Sequence, residues 1–223
     1  MNASNHKNIT TAVALGMLML FPACDGMFEG VYDDVEGGSD PTNKTAEIQT
    51  RGTLTIDATA YTEWHYINFH SGEITTSTIS LTDSTESGKP AEWDVALHRY
   101  DVKSNNGVAI ETEYTTIDEL LAEGLPTDDE WTADTFADNK ITIDMSHMME
   151  GYLVYLPDYY NPILSKWVDV NTSTMPPIYT MNQKVFVVRL SDDTHLALRL
   201  INFMNDKSVK GNMNFEYYYP LPF

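Results

Sequence analysis

Five of the seven methionines that follow residue 27 fall between positions 145 and 181: Met145, Met148, Met149, Met175 and Met181. A core uses methionine as scattered gap filler, so two groups of thioethers flanking a proline- and tyrosine-rich segment need a reason. The thioether is a soft donor that suits copper(I) or haem iron, and as an axial haem ligand it favours the reduced metal over nitrogen or oxygen donors. Tyr152, Tyr155, Tyr159, Tyr160, Trp167 and Tyr179 lie around these positions and offer apolar walls with hydrogen-bonding tips. The residues alone equally allow the methionines to fill a core or a subunit contact.

Other chemistry is mostly missing. Histidine is the commonest metal ligand, yet His65, His70, His98, His147 and His195 form no recognised ligand spacing, and a structural role is expected for those on strands. There is no HExxH, GxSxG, glycine-rich phosphate loop or EF-hand pattern. Asp33-Asp34, Asp128-Asp129-Glu130 and Asp192-Asp193 could be drawn as glycosidase acids and bases, but neighbouring acids in a chain of net charge −20 read as solvated surface. A binding protein rather than an enzyme is therefore expected. With 33 acidic residues against 13 basic ones there is no basic face for phosphates, which excludes a general nucleic-acid binder. The single cysteine excludes an intramolecular disulfide and any CxxC metal site.

The elements that must position these residues are mainly strands. The 223 residues give room for one large β domain, and 42% hydrophobic with 11% aromatic content places the chain in the folded class. From about Lys44, short runs rich in Thr, Val, Ile, Tyr and Trp alternate with turn residues, which predicts a mainly β, antiparallel, multi-stranded fold. Runs are expected at 52–59, 64–70, 73–81, 92–103, 107–114, 140–145, 151–155, 167–170, 184–190, 195–203 and 212–219. Thr116-Ile117-Asp118-Glu119 is a capping box that opens one short helix, stopped by Gly124 and Pro126. The interval 157–183, with four prolines, is expected to be loop, where sites on β scaffolds usually lie.

The N-terminus has its own logic. Thr11 to Phe21 is an uncharged apolar run behind Lys7, too short to span a bilayer. Its end, Leu20-Phe21-Pro22-Ala23-Cys24, resembles a bacterial lipobox, which implies a signal peptide over 1–23 and lipid on Cys24. Residues 24–45, acidic and glycine-rich, read as a flexible tether to a domain over 46–223. Acidic residues behind the lipidated cysteine resemble the surface-export signals of some Gram-negative anaerobes, implying an outer-membrane protein outside the cell that touches the membrane only through its lipid anchor, or is released.

Five segments then carry a resemblance. WDVALHRYDVKSN (93–105), MPPIY (175–179), KVFVVR (184–189), LINFMN (200–205) and FEY (215–217) together are similar to the HmuY family of haem-binding lipoproteins, in order and spacing, over about residues 50 to 223. The resemblance implies a hand-shaped β fold that grips haem, iron protoporphyrin IX, between loops through two axial ligands. It implies a haemophore that takes haem from host haemoproteins and passes it to a TonB-dependent outer-membrane receptor. Some members of the family use two histidines and others two methionines; here the loops offer mainly methionine. Met148 and Met175 are the expected axial pair, with Met145, Met149 and His147 as alternates, and Tyr152, Tyr155, Tyr179 and Pro176 as pocket residues. Lys166, Lys184, Arg99 and tyrosine hydroxyls are the expected propionate partners. The rival expectation is a non-haem surface lipoprotein that binds glycan or a host protein through its aromatic loops.

Overall fold

The computed structural model describes residues 50–127, 130–174 and 176–223. Cys24, the 1–23 leader, the 24–45 tether, Asp128, Asp129 and Met175 lie outside the described residues. In chain order the elements are β1 (Arg51–Asp57), β2 (Glu63–Ile67), β3 (Ile74–Ile79), β4 (Glu86–Ser87), β5 (Val95–His98), β6 (Asp101–Ser104), β7 (Val108–Glu111) and α1 (Ile117–Glu123). There follow β8 (Thr132–Ala133), β9 (Thr135–Asp144), β10 (Val154–Tyr160), β11 (Val168–Asn171), β12 (Ile178–Met181), β13 (Phe186–Arg189), β14 (His195–Met204) and β15 (Lys210–Tyr218). The fold is thus mainly antiparallel β with one short helix, as the sequence pattern predicts.

Two sheets face each other. One has six strands in the order β1-β15-β14-β13-β7-β8, the other five in the order β4-β3-β2-β5-β6; β9–β10 and β11–β12 are separate hairpins. The period of two decides which face each side chain covers. Along β15, Met213, Phe215 and Tyr217 point into the core while Asn212, Asn214 and Glu216 point away. Strands β5 and β13 read as continuous apolar runs because both of their faces are covered. Val95 and Leu97 join Phe186, Val188 and Phe215 in the main core between the sheets. Trp64, Tyr66 and Ala96, on the outer face of the five-stranded sheet, pack under Ile141, Ile143 and Leu156 of the β9–β10 hairpin. Val187 and Ala197, on the outer face of the six-stranded sheet, pack under Ile117 and Leu120 of α1.

The helix forms as its capping box dictates. Thr116 Oγ1 accepts from the Glu119 amide at 3.1 Å, and the Glu119 carboxylate accepts from the Thr116 amide at 3.3 Å. Gly124, at φ +84°, ends it with its amide on the Leu120 carbonyl at 2.8 Å.

Two expectations are corrected. Residues 92–103 are not one strand but the hairpin β5–β6, whose two-residue turn is Arg99-Tyr100 between paired His98 and Asp101. Arg99 sits at φ +52° without being glycine, and a two-residue turn preserves the alternation, so the pattern carried no break to read. The interval 157–183 is not a loop: β10 runs on to Tyr160, and 168–181 is largely the β11–β12 hairpin. Pro157 sits at a register shift between Leu156 and Asp158, a place in a ladder where a missing donor is tolerated.

One buried ion pair fastens the β9–β10 hairpin to the five-stranded sheet. The Lys103 ammonium, 3% exposed, meets Asp158 Oδ2 at 2.7 Å and lies 3.8 Å from the centre of the Trp64 ring. Burial pushes the Lys103 pKa down and the Asp158 carboxylate only partly restores it. Removing Asp158 strands an ammonium that is 3% exposed, whereas replacing the lysine by an apolar residue of like volume leaves the 20%-exposed Asp158 carboxylate within reach of water. Asp158→Ala should therefore lower stability by about 3 kcal/mol in urea unfolding, and Lys103→Met by about 1 kcal/mol or less; equal losses would contradict this reading of the pair.

Candidate functional site

A cleft of about 610 Å³ opens where the β9–β10 hairpin, the β11–β12 hairpin and the Arg99-Tyr100 turn converge. That volume is in the range of small-molecule and cofactor sites. One wall carries Met145, Leu153, Tyr155 and Tyr160; the facing wall carries Val168, Val170, Thr172, Pro177 and Tyr179. Tyr61, His98, Arg99 and Tyr100 form the floor.

The Met-rich turn is built by local hydrogen bonds. Asp144 accepts from the Ser146 amide at 2.7 Å and from the Ser146 hydroxyl at 3.0 Å, which holds its carboxyl below the usual range. A short 3-10 turn over Met148–Glu150 then closes on Gly151, whose φ of +91° needs glycine. The His147 ring stacks flat on Tyr152 at 4.6 Å and its Nδ1 meets the Glu150 carboxylate at 3.2 Å. Met145 ends up half-buried in the cleft wall. Met148 (42% exposed), Met149 (89%) and Tyr152 (51%) project from the turn outside the cleft lining. On the other side, the Asn171 side-chain carbonyl accepts from the Ser173 amide at 2.9 Å and hydroxyl at 2.7 Å, starting the 172–177 connection that carries Pro176 and Met175. Pro176 is exposed and Pro177 lines the cleft. Tyr179 is seated by edge contact with Tyr100 at 5.5 Å and by the Lys210 ammonium 4.4 Å from its ring centre.

The floor is the least expected part. The Trp167 indole N–H donates to the Tyr100 carbonyl at 2.8 Å, so Trp167, itself 2% exposed, is a core residue that fixes the turn and not a pocket wall. The Arg99 guanidinium covers the Tyr61 ring at 4.2 Å and donates through Nη1 to the Thr59 carbonyl at 2.5 Å. Burial pushes the His98 pKa down to about 4, so the imidazole is neutral and its Nε2–H donates to the Tyr61 carbonyl at 2.9 Å. Burial likewise pushes the Tyr100 phenol up to about 12, keeping it a donor. His98 Nδ1, Arg99 Nε and Tyr100 Oη are nonetheless buried with no hydrogen-bond partner among the described residues. Leaving such atoms unpaired costs about 1–3 kcal/mol each, so three in consecutive residues beneath one cleft mark a place for a polar ligand group or ordered water.

The cations at the rim divide. Lys140 lines the cleft and meets Asp101 at 3.1 Å; Lys166 lines it, 56% exposed, with only a 3.9 Å approach from Glu111. Lys184 lies elsewhere, its ammonium on the Glu113 carbonyl at 3.0 Å and carboxylate at 2.5 Å. Tyr159 also leaves the group, packing edge-on against Phe136 at 5.3 Å. Outside the cleft, His65 meets Thr76 Oγ1 at 3.1 Å, and His70 bridges Asp94 and Asp192 at 3.0 and 2.9 Å. Among the described residues no group of three or more His, Cys, Asp or Glu could hold a metal ion. The structure thus brings together Met145, Tyr155, Tyr160, Tyr179, Arg99 and Lys166 from the sequence candidates. Sequence reasoning missed Tyr61, His98 and Tyr100; their signal was a His-Arg-Tyr triplet read as mid-strand.

The chain matches the HmuY protein family over residues 60–217. It is 44% identical to a candidate lipoprotein of Bacteroides fragilis of known structure, with a TM-score of 0.72, covering 78% of this chain and 91% of that one. It is also 44% identical to a candidate HmuY-like haem-binding protein of Bacteroides vulgatus, with a TM-score of 0.71 over 78% of this chain and 94% of that one. A HmuY analogue of Tannerella forsythia, solved in its apo form, is 26% identical, with a TM-score of 0.61 over 75% and 94% of the two chains. No curated protein matches.

His98 makes the floor sensitive to acid in a definite direction. Its folded pKa of about 4 lies below the ordinary 6.5, so the unfolded chain takes up a proton that the folded chain refuses. The stabilisation is complete above pH 6.5 and is lost as pH falls towards 4, by roughly 3 kcal/mol. Between pH 7 and 4.5, denaturant unfolding of the native protein should lose roughly 2–3 kcal/mol more than unfolding of His98→Gln; parallel losses in the two proteins would contradict the assignment.

Proposed function

The chain belongs to the HmuY family, and on that premise we propose that it binds haem in the cleft between its two hairpins and serves as a surface haemophore. The observation that carries the proposal is the cleft itself. It pairs a half-buried thioether, Met145, and tyrosine walls on one side with Thr172 and Pro177, which bracket Met175 in the sequence, on the other, over a floor with two unpaired donors, Arg99 Nε and Tyr100 Oη. These residues fit a porphyrin: apolar rings for the macrocycle faces, soft donors for the iron, and N–H and O–H groups for the two carboxylates.

The proposed axial pair is one methionine of the 145–149 turn with Met175. Within that turn, the lining position of Met145 supports it ahead of Met148, Met149 and His147, which point outside the cleft; His147 is also engaged with Tyr152 and Glu150. Tyr155, Tyr179 and Pro177 would enclose the ring, and Arg99 Nε, Tyr100 Oη and Lys166 would take the propionates. Two methionine thioethers would hold the iron with soft donors that favour its ferrous state and would leave no place for oxygen to bind, which would suit carriage and release rather than turnover. Lipidation at Cys24, display on the outer membrane, host haemoproteins as the source and transfer to a TonB-dependent receptor complete the proposed role. The HmuY-like and lipoprotein relatives support it.

The test is an absorbance titration of the protein with haemin, oxidised and under dithionite. A saturable Soret shift with sharp low-spin ferrous bands is expected, weakened at least about tenfold by Met145→Ala and by Met175→Ala and little changed by Met148→Ala. Loss on Met148→Ala with Met145→Ala unaffected would move the first ligand along the turn and leave the function standing. No saturable shift in either redox state would overturn the haem reading, leaving a surface protein that binds glycan or protein through its aromatic residues.

A further inference from the structure

A second cavity, of about 420 Å³, lies between β10, the β6–β7 connection and residues 89–93, and shares no lining residue with the cleft above. Its floor is satisfied. Asp134 is half-buried and accepts from the Ser104 amide at 2.8 Å, the Ser104 hydroxyl at 3.0 Å and the Asn161 amide group at 3.0 Å, while Asp158 is paired with Lys103. Its rim is not. The Lys89 ammonium stands 5.3 Å from the centre of the Trp93 ring and 5.7 Å from that of Tyr66, and makes no ion pair among the described residues. Lys89 shares this state with Lys210, whose ammonium faces the Tyr179 ring at 4.4 Å without an ion pair among the described residues, but only Lys89 lines this cavity. The exposed Asn106 side chain shares the rim. So does Tyr159, 53% exposed and edge-on to Phe136, which is 51% exposed.

These walls select a ligand class. The cavity sets two lysines, two aspartates and two asparagines beside the rings of Trp93 and Tyr159, a mix of charged, amide and aromatic groups. A sugar ring has an apolar C–H face that lies against an exposed aromatic ring, and hydroxyls that give to and take from amide and carboxylate groups. The unpaired Lys89 adds a demand for negative charge on that ring. We infer that this cavity binds a carboxylated sugar of the uronic or sialic acid class, with its carboxylate on Lys89 and its ring against Tyr159. The site gives a surface haem carrier a hold on acidic glycans, yet its geometry does not depend on haem binding.

Calorimetric or NMR titration with sodium D-glucuronate, using D-glucose as the uncharged comparator, tests it on the whole protein. Saturable glucuronate binding is expected, with glucose at least about tenfold weaker and with Lys89→Ala and Tyr159→Ala each at least about tenfold weaker than the native protein. Haemin titration of the same variants should be unchanged, which separates a failed sugar site from a misfolded protein and from a failed haem reading. No saturation with glucuronate, equal binding of glucose, or full binding by Lys89→Ala would overturn the proposal.

Discussion

The hydrogen bond from the Trp167 indole to the Tyr100 carbonyl holds a turn that local preference alone would not keep. Arg99 is at positive φ, outside the region that non-glycine residues prefer, and the turn survives because its surroundings over-determine it. Trp167 holds it from the core, Thr59 receives the guanidinium, and Tyr61 lies under the guanidinium face. Once that turn is fixed, His98, Arg99 and Tyr100 are fixed as a floor, and the two hairpins that approach it can only leave a cleft between them. The buried tryptophan is therefore a positioning residue for a site it does not line.

Around that floor the walls rise from paired strands: β9–β10 is seated on the five-stranded sheet through Ile141, Ile143 and Leu156, and Tyr179 is wedged against Tyr100 and Phe203. Met145 sits just past the end of β9 at Asp144, half-buried in the cleft wall. Among the described residues, Lys103, Lys140 and Lys184 are each matched by an acid. Arg99 instead donates to a backbone carbonyl and keeps Nε without a partner beneath the cleft. An anionic ligand entering there would not have to displace a carboxylate from Arg99.

Much of this was legible in the residues. The alternation of β1 and β15 was plain because each turns one face to the core, β13 stood out as an apolar run covered on both faces, and the helix announced itself through Thr116 and Glu119. The β5–β6 turn was hidden because Arg99 and Tyr100 are not turn residues by type; only tertiary contacts reveal them as one. The β11–β12 hairpin was masked by prolines that in fact sit at a bulge and in a connection. For the candidate site, residue type led to side chains that share one cleft, Met145, Tyr155, Tyr160 and Tyr179. Periodicity could not separate Met145 from Met148, because what divides them is the 3-10 turn that carries the second away from the cleft. The floor was out of reach of any spacing argument: Tyr61, His98 and Tyr100 come together through long-range packing, and unpaired donors are a property of coordinates, not of sequence.

The most direct measurement of the central claim is a crystal structure of the protein loaded with haemin. The account requires the porphyrin in the cleft between the two hairpins, sulfur from Met145 and Met175 on the iron, and a propionate within hydrogen-bonding distance of Arg99 Nε or Tyr100 Oη. Haem bound outside that cleft, or in it with neither methionine on the iron, would contradict the account.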